Sequence, residues 1–96
     1  MKVFSSEYDK KLLLVEWVDA SRLNAGWIDL SDIPEPYPHK CVTVGFLHSR
    51  NEHGIILIPT IGDIAHPDNS HAYGGMMIPS YAVLSECELT VKGGTK

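Results

Sequence analysis

The stretch Leu12-Leu13-Leu14-Val15-Glu16-Trp17-Val18-Asp19-Ala20 constrains the fold more than any other part of the chain. It is rich in branched and aromatic residues, which suit a pleated, half-buried surface. Side chains along a strand alternate between faces. Leu13, Val15 and Trp17 therefore share one face, and Leu12, Leu14, Glu16 and Val18 share the other. Both faces are apolar. Such a strand is either central in a barrel or one half of a subunit contact. No segment of helical length carries a clean 3.6-residue period, so the chain reads as all-β.

Four further runs read as strands. Residues 41–48 and 55–58 make a central hairpin around Asn51-Glu52-His53-Gly54, with Val42, Val44 and Phe46 on one face. Gly45 inside the first of these runs predicts a bend or bulge. Residues 76–79 form a short strand, Ser80-Tyr81-Ala82 a one-turn break, and 83–91 a final strand. There Val83, Ser85, Cys87, Leu89 and Val91 alternate with Leu84, Glu86, Glu88 and Thr90, the cleanest period of two in the chain. Residues 21–38 form a long first connection with Asn24-Ala25-Gly26 as a turn signal, a helical turn at Ser31-Asp32-Ile33, and breakers at Pro34, Pro36 and Pro38. A connection of that length marks a functional or packed surface loop. A second irregular stretch spans 62–75. Together these features predict one domain over 1–96, a small SH3-like or Sm-like barrel of about five antiparallel strands with a long first loop. Residues 1–10 and 92–96 read as frayed termini.

Composition narrows the function classes. At 96 residues and 10.6 kDa, folding would bury about 64% of the chain's surface, enough for one modest core. The net charge of −4, with Lys2, Lys10, Lys11, Arg22, Lys40, Arg50, Lys92 and Lys96 scattered along the chain, argues against non-specific nucleic-acid binding. An Sm-like RNA role is disfavoured on the same ground. No apolar run approaches 18 residues and no signal-peptide pattern is visible, so no membrane span is expected and the address reads as cytoplasmic. Cys41 and Cys87 are isolated and read as buried thiols in strands.

Catalytic and metal signals are weak. His66 and His71 flank Pro67-Asp68-Asn69-Ser70 and, with Asp63, lack the spacing of a zinc site. Ser70 with His71, Cys41 near His39, and Ser49 with His48 are near neighbours in sequence and belong to no nucleophile motif. Gly74-Gly75 precedes a strand, whereas phosphate-cradling loops open a helix. No catalytic residue, metal or cofactor is assigned.

The combination Glu16-Trp17-Val18-Asp19, Gly26-Trp27, Val44-Gly45-Phe46-Leu47 and Met77-Ile78-Pro79 resembles a family of small uncharacterised proteins of tailed phages and prophages, over roughly residues 13 to 90. The resemblance implies a phage-borne accessory protein working in the host bacterial cytoplasm. Small phage β proteins include some that sequester cyclic-nucleotide immune signals and so counter bacterial defence. On that analogy the leading expectation is non-catalytic sequestration of a small nucleotide-type ligand. The residues at the loop mouths supply the parts: Trp27 and Tyr73 to stack on a base, Arg22 and Arg50 to hold phosphate, Asp19 to orient sugar or base, and His48 at the hairpin tip. Two arginines are too few to envelop a multiply charged ligand, so a homo-oligomer is expected, with Leu84, Met76, Ile61 and the first strand as contact surface. The alternative is a protein–protein interaction module that docks on a host enzyme or a phage structural component. Trp17 and Trp27 are read as core, interface or pocket residues, without a choice among them.

Overall fold

The computed structural model describes residues 10–23 and 26–90. Its strands are β1 (Leu12–Asp19), β2 (His39–Asn51), β3 (Gly54–Ile58), β4 (Thr60–Gly62), β5 (His71–Tyr73), β6 (Met76–Pro79) and β7 (Val83–Leu89). Three 3₁₀ turns punctuate them, at Leu30–Asp32, Pro67–Asn69 and Ser80–Ala82. The expected frayed termini lie outside the described residues, except for residue 10. No helix among the described residues is long and apolar enough to cross a membrane.

The chain is all-β, with a five-stranded antiparallel sheet in the order β6-β3-β2-β1-β7 and a separate two-stranded ribbon of β4 and β5. β1 is an interior strand, fourth of the five and flanked by β2 and β7, while β2 takes the middle of the sheet. β2 is longer than the run 41–48 read from sequence, because His39, Lys40 and Ser49 to Asn51 also find ladder partners. The helical turn expected at 31–33 is present, one residue earlier. β4 and β5 fall around and inside the stretch read as irregular. Three-residue strands are too short to show a period.

Cross-strand partners in an antiparallel pair share a face, so the register sorts the residues. Leu13 lies opposite Gly45 and Glu88, Val15 opposite Thr43 and Glu86, and Trp17 opposite Cys41 and, after a bulge, Val83. This inner face carries the core: Leu13, Val15, Ile55, Leu57, Ile78 and Ala82, with Trp17, Leu47 and Val83 packed against it. Residues of β1 and of β3, two strands apart, belong to one cluster, and the Ser80–Ala82 turn touches both strands. The sheet is therefore curled about its inner face. Two glycines permit the curl. Gly45 is opposite Leu13, and a Cβ there would meet Ile58 N and Leu57 Cβ at 3.2 Å. At Gly54 a Cβ would overlap the Ile78 carbonyl oxygen, so the hairpin can lie close against β6 only with glycine.

The outer strands β6 and β7 are joined through the 3₁₀ turn, and no ladder runs between them among the described residues. The sheet is curled without closing by strand pairing.

The opposite, outer face holds Leu12, Leu14, Glu16 and Val18 of β1 beside Phe46, Val44, Val42 and Lys40 of β2. β7 adds Leu89, Cys87 and Ser85. The apolar half of the last strand's alternation thus points outward along most of its length, and Glu86 and Glu88 take the inner side. Cys87 is exposed and Cys41 half-buried, which corrects the expectation of two buried thiols. For Cys87 the cause is its register against Leu14 on the outer face.

Candidate functional site

The structure divides the residues read from sequence between two ends of the sheet and two faces. Asp19 closes β1 opposite His39, and its Oδ1 accepts the Ala20 N–H at 2.8 Å. Arg22 and Trp27 follow in the first connection, both exposed, Trp27 completely so. His48 lies at the other end of β2, nine residues from His39 and about 30 Å along the strand. Tyr73 is exposed on the ribbon, opposite Thr60. Among these residues, no stacking platform with a phosphate grip beside it is assembled within one described subunit.

Arg50 is already engaged. Its Nη1 and Nη2 donate to the two carboxylate oxygens of Glu86 at 3.0 and 2.7 Å, a bidentate bridge from β2 to β7. The hydrogen bond and charge of Arg50 hold the Glu86 carboxyl below its ordinary pKa, and Glu86 correspondingly raises that of Arg50. Glu86 takes up one N–H on each terminal nitrogen and offsets the charge, so Arg50 is not a free phosphate grip.

One group of polar side chains does converge, and of it only His48 reads from sequence as a binding residue, His71 and Ser70 being weighed there for metal or nucleophile chemistry instead. A groove of about 290 Å³ between the sheet and the ribbon is lined by Lys10, His48, Ser70 and His71 over Ile58, Ile61 and Ala72. No carboxylate of the described residues lines it. His71 is oriented by its surroundings. Its Nδ1 lies 3.0 Å from the Asn69 carbonyl, which can only accept, so Nδ1–H donates and Nε2 is left for other partners. The ring lies over Gly62, where a Cβ would come within 2.7 Å of Nε2. The groove depends on pairing of 60–62 with 71–73, and the two short strands leave no signal in the sequence from which to find it.

The remaining histidine chemistry is local. His66 Nδ1 donates to Asp63 Oδ1 at 2.7 Å, and Ser70 Oγ donates to the Asp63 carbonyl at 3.0 Å. These bonds fix the turn in which Asp63 takes a positive φ of 59°. Ser70 is thus turned to a backbone carbonyl and forms no nucleophile–base pair with His71. No group of three His, Cys, Asp or Glu among the described residues is placed to hold a metal ion.

The most extensive feature is apolar. Among the described residues seven hydrophobic side chains are buried, while twelve large ones are exposed. Five of the twelve lie in the first connection: Leu23, Trp27, Leu30, Ile33 and Tyr37. Val42 and Val44 stand on the outer sheet face, 59% and 45% exposed. Trp17, by contrast, is half-buried at the core, its Nε1–H donating to Thr43 Oγ1 at 3.0 Å. The two tryptophans have separate roles.

No family model, no curated protein and no solved structure matches the chain.

Proposed function

We propose that the chain is a non-catalytic binding module that acts by holding a protein surface. The observation that carries this reading is the excess of exposed large hydrophobic side chains over buried ones. Contiguous exposed apolar side chains mark interaction surfaces, and five of these residues follow one another in the first connection while two adjoin on the outer face of β2. We further propose that the framework is an SH3-like or Sm-like barrel. The five-strand order, the long first connection and the 3₁₀ turn before the last strand support it, although such folds host many functions. Work as a phage accessory protein in the host cytoplasm remains a proposal supported by the sequence resemblance alone.

Sequestration of a nucleotide-type signal is the second reading, favoured by the groove of Lys10, His48, Ser70 and His71. Its volume corresponds to about ten water molecules, at about 30 Å³ each. That volume matches one base or one sugar-phosphate end, and the rest of a larger nucleotide would lie outside the groove. Residues gathered from several subunits would be needed for more.

Native mass spectrometry of the protein purified from the cells that normally contain it separates the two readings. The protein-binding reading expects complexes whose added mass is polypeptide. A small molecule retained in every copy, with no polypeptide partner, would overturn it in favour of sequestration.

A further inference from the structure

The first connection, residues 20–38, behaves as an arm. Of its described residues only Ile28 is half-buried, and all the others are exposed. The hydrogen bonds of its described residues stay local: Asp32 N–H to the Asp29 carbonyl, Ile33 N–H to the Leu30 carbonyl, and Ala20 N–H to Asp19. Yet its side chains are those of a buried element. Trp27 and Leu30 are 104% and 84% exposed, and Leu23, Ile33 and Tyr37 accompany them. The arm also carries three carboxylates, Asp29, Asp32 and Glu35, against one guanidinium, Arg22.

The outer face of β1 and β2 has the complementary character. Leu14, Val18, Val42 and Val44 form an apolar strip upon it. Lys40 marks one end, and Lys10 and His48 mark the other. Neither lysine has a carboxylate partner among the described residues. The one carboxylate that β1 and β2 place on this face, Glu16, accepts a hydrogen bond from Ser85 Oγ at 2.8 Å.

We propose that the chain pairs with a second copy of itself by exchanging arms, residues 20–38 of each copy lying across the outer face of β1 and β2 of the other. Among the described residues the chain holds both an apolar, acidic arm without a seat and an apolar, basic-ended face on which Val42 and Val44 stand exposed, so a second copy satisfies both at once. The reach fits: half the arm, about ten residues, extends about 30 Å, and β1 is about 26 Å long. The area fits as well. Two large aromatic and three aliphatic side chains bury roughly 600–800 Å². Each copy contributes an arm and a face, so each exceeds the about 800 Å² that a partner buries in a stable interface. Reciprocal exchange is an isologous contact, which closes at two copies.

The inference rests on the protein-binding reading and names its partner. Sedimentation velocity of the purified protein over about 1–100 µM tests it, with Trp27→Ser and Leu30→Ser in the arm and Val44→Lys on the face. The wild type is expected to sediment as a dimer of about 21 kDa, twice the chain mass. Each arm variant is expected to weaken dimerisation at least about tenfold, as loss of a central aromatic or aliphatic anchor does. Mixing an arm variant with Val44→Lys should restore heterodimer, because one intact arm then meets one intact face. Trp27 and Leu30 are exposed in their own copy, so these variants test the idea even if Val44→Lys fails to fold. A wild-type monomer throughout the range, or a dimer indifferent to the arm substitutions, would overturn arm exchange. If the monomer nevertheless holds a different protein in native mass spectrometry, arm exchange falls and the protein-binding reading stands.

Discussion

Ile78 and Met77 are adjacent on the short outer strand β6, and the structure gives them opposite fates. Ile78 is fully buried opposite Ile55, whereas Met77 is 69% exposed opposite Ile56. Truncating a buried isoleucine to alanine costs about 2–5 kcal/mol, comprising the lost transfer energy and the cavity left behind. The upper part of that range is expected here, because the carbonyl of Ile78 lies against Gly54 and the backbone cannot close in on the void. A domain of this size has a total stability of about 5–14 kcal/mol, so Ile78→Ala removes a large share of it. Met77→Ala should stay within about 0.5 kcal/mol, as exposed substitutions do. Urea unfolding followed by far-ultraviolet circular dichroism, at a concentration where the mass is that of one chain, measures both. A midpoint shift at constant slope is the signature of a stability change alone. A cost below about 1 kcal/mol for Ile78→Ala, or equal costs for the two substitutions, would refute the assignment of the inner face.

The Arg50–Glu86 bridge gives a pH signature. Its Glu86 carboxyl has a lower pKa folded than unfolded, so the stabilisation is present above the unfolded carboxylate range, near 4.3, and is lost as pH falls through the folded value. Both groups are partly exposed, so solvent screening limits the effect to about 0.5 kcal/mol. Glu86→Gln should flatten that part of the stability profile between about pH 5 and 3, and an unchanged profile counts against the bridge. Cys87 gives a second test, because it is exposed on the outer face while Cys41 is half-buried. A thiol reagent should label Cys87 first in monomeric protein, and the rate should fall as concentration rises into the dimer. Labelling of Cys41 first would contradict the register of β7.

The sequence makes the strands legible where they are long and alternate. β1, the hairpin of β2 and β3, and the 3₁₀ turn ahead of β7 all follow from residue type and spacing. What it leaves hidden is registration across the fold. Glu86 and Glu88 read as the solvent side of β7, yet pairing with Val15 and Leu13 puts them on the inner side, where Arg50 reaches one of them. A period of two tells that two faces differ but not which one is covered. Arg50 likewise reads as a free cation until its distance to a residue 36 positions away is known. The polar groove escapes for the same reason, since Lys10, His48 and His71 are brought together only by tertiary pairing.

The doubly apolar first strand was open to two explanations, a central place in the sheet or a share in a subunit contact. The structure gives β1 an interior place in an unclosed sheet, and that place is insufficient. Flanking strands satisfy both backbone edges of β1, through β2 on one side and β7 on the other. They cannot satisfy both of its side-chain faces. In a single curled layer one face meets the core and the other meets water, and covering it takes a second layer. Among the described residues the β4–β5 ribbon stands over one end of that face, at Ile58, and leaves Val42 and Val44 of β2 exposed beside the half-buried Leu14 and Val18 of β1. The two explanations are therefore complementary. The two flanking strands account for the hydrogen bonds of β1, and the arm exchange proposed above would account for the composition of its outer face.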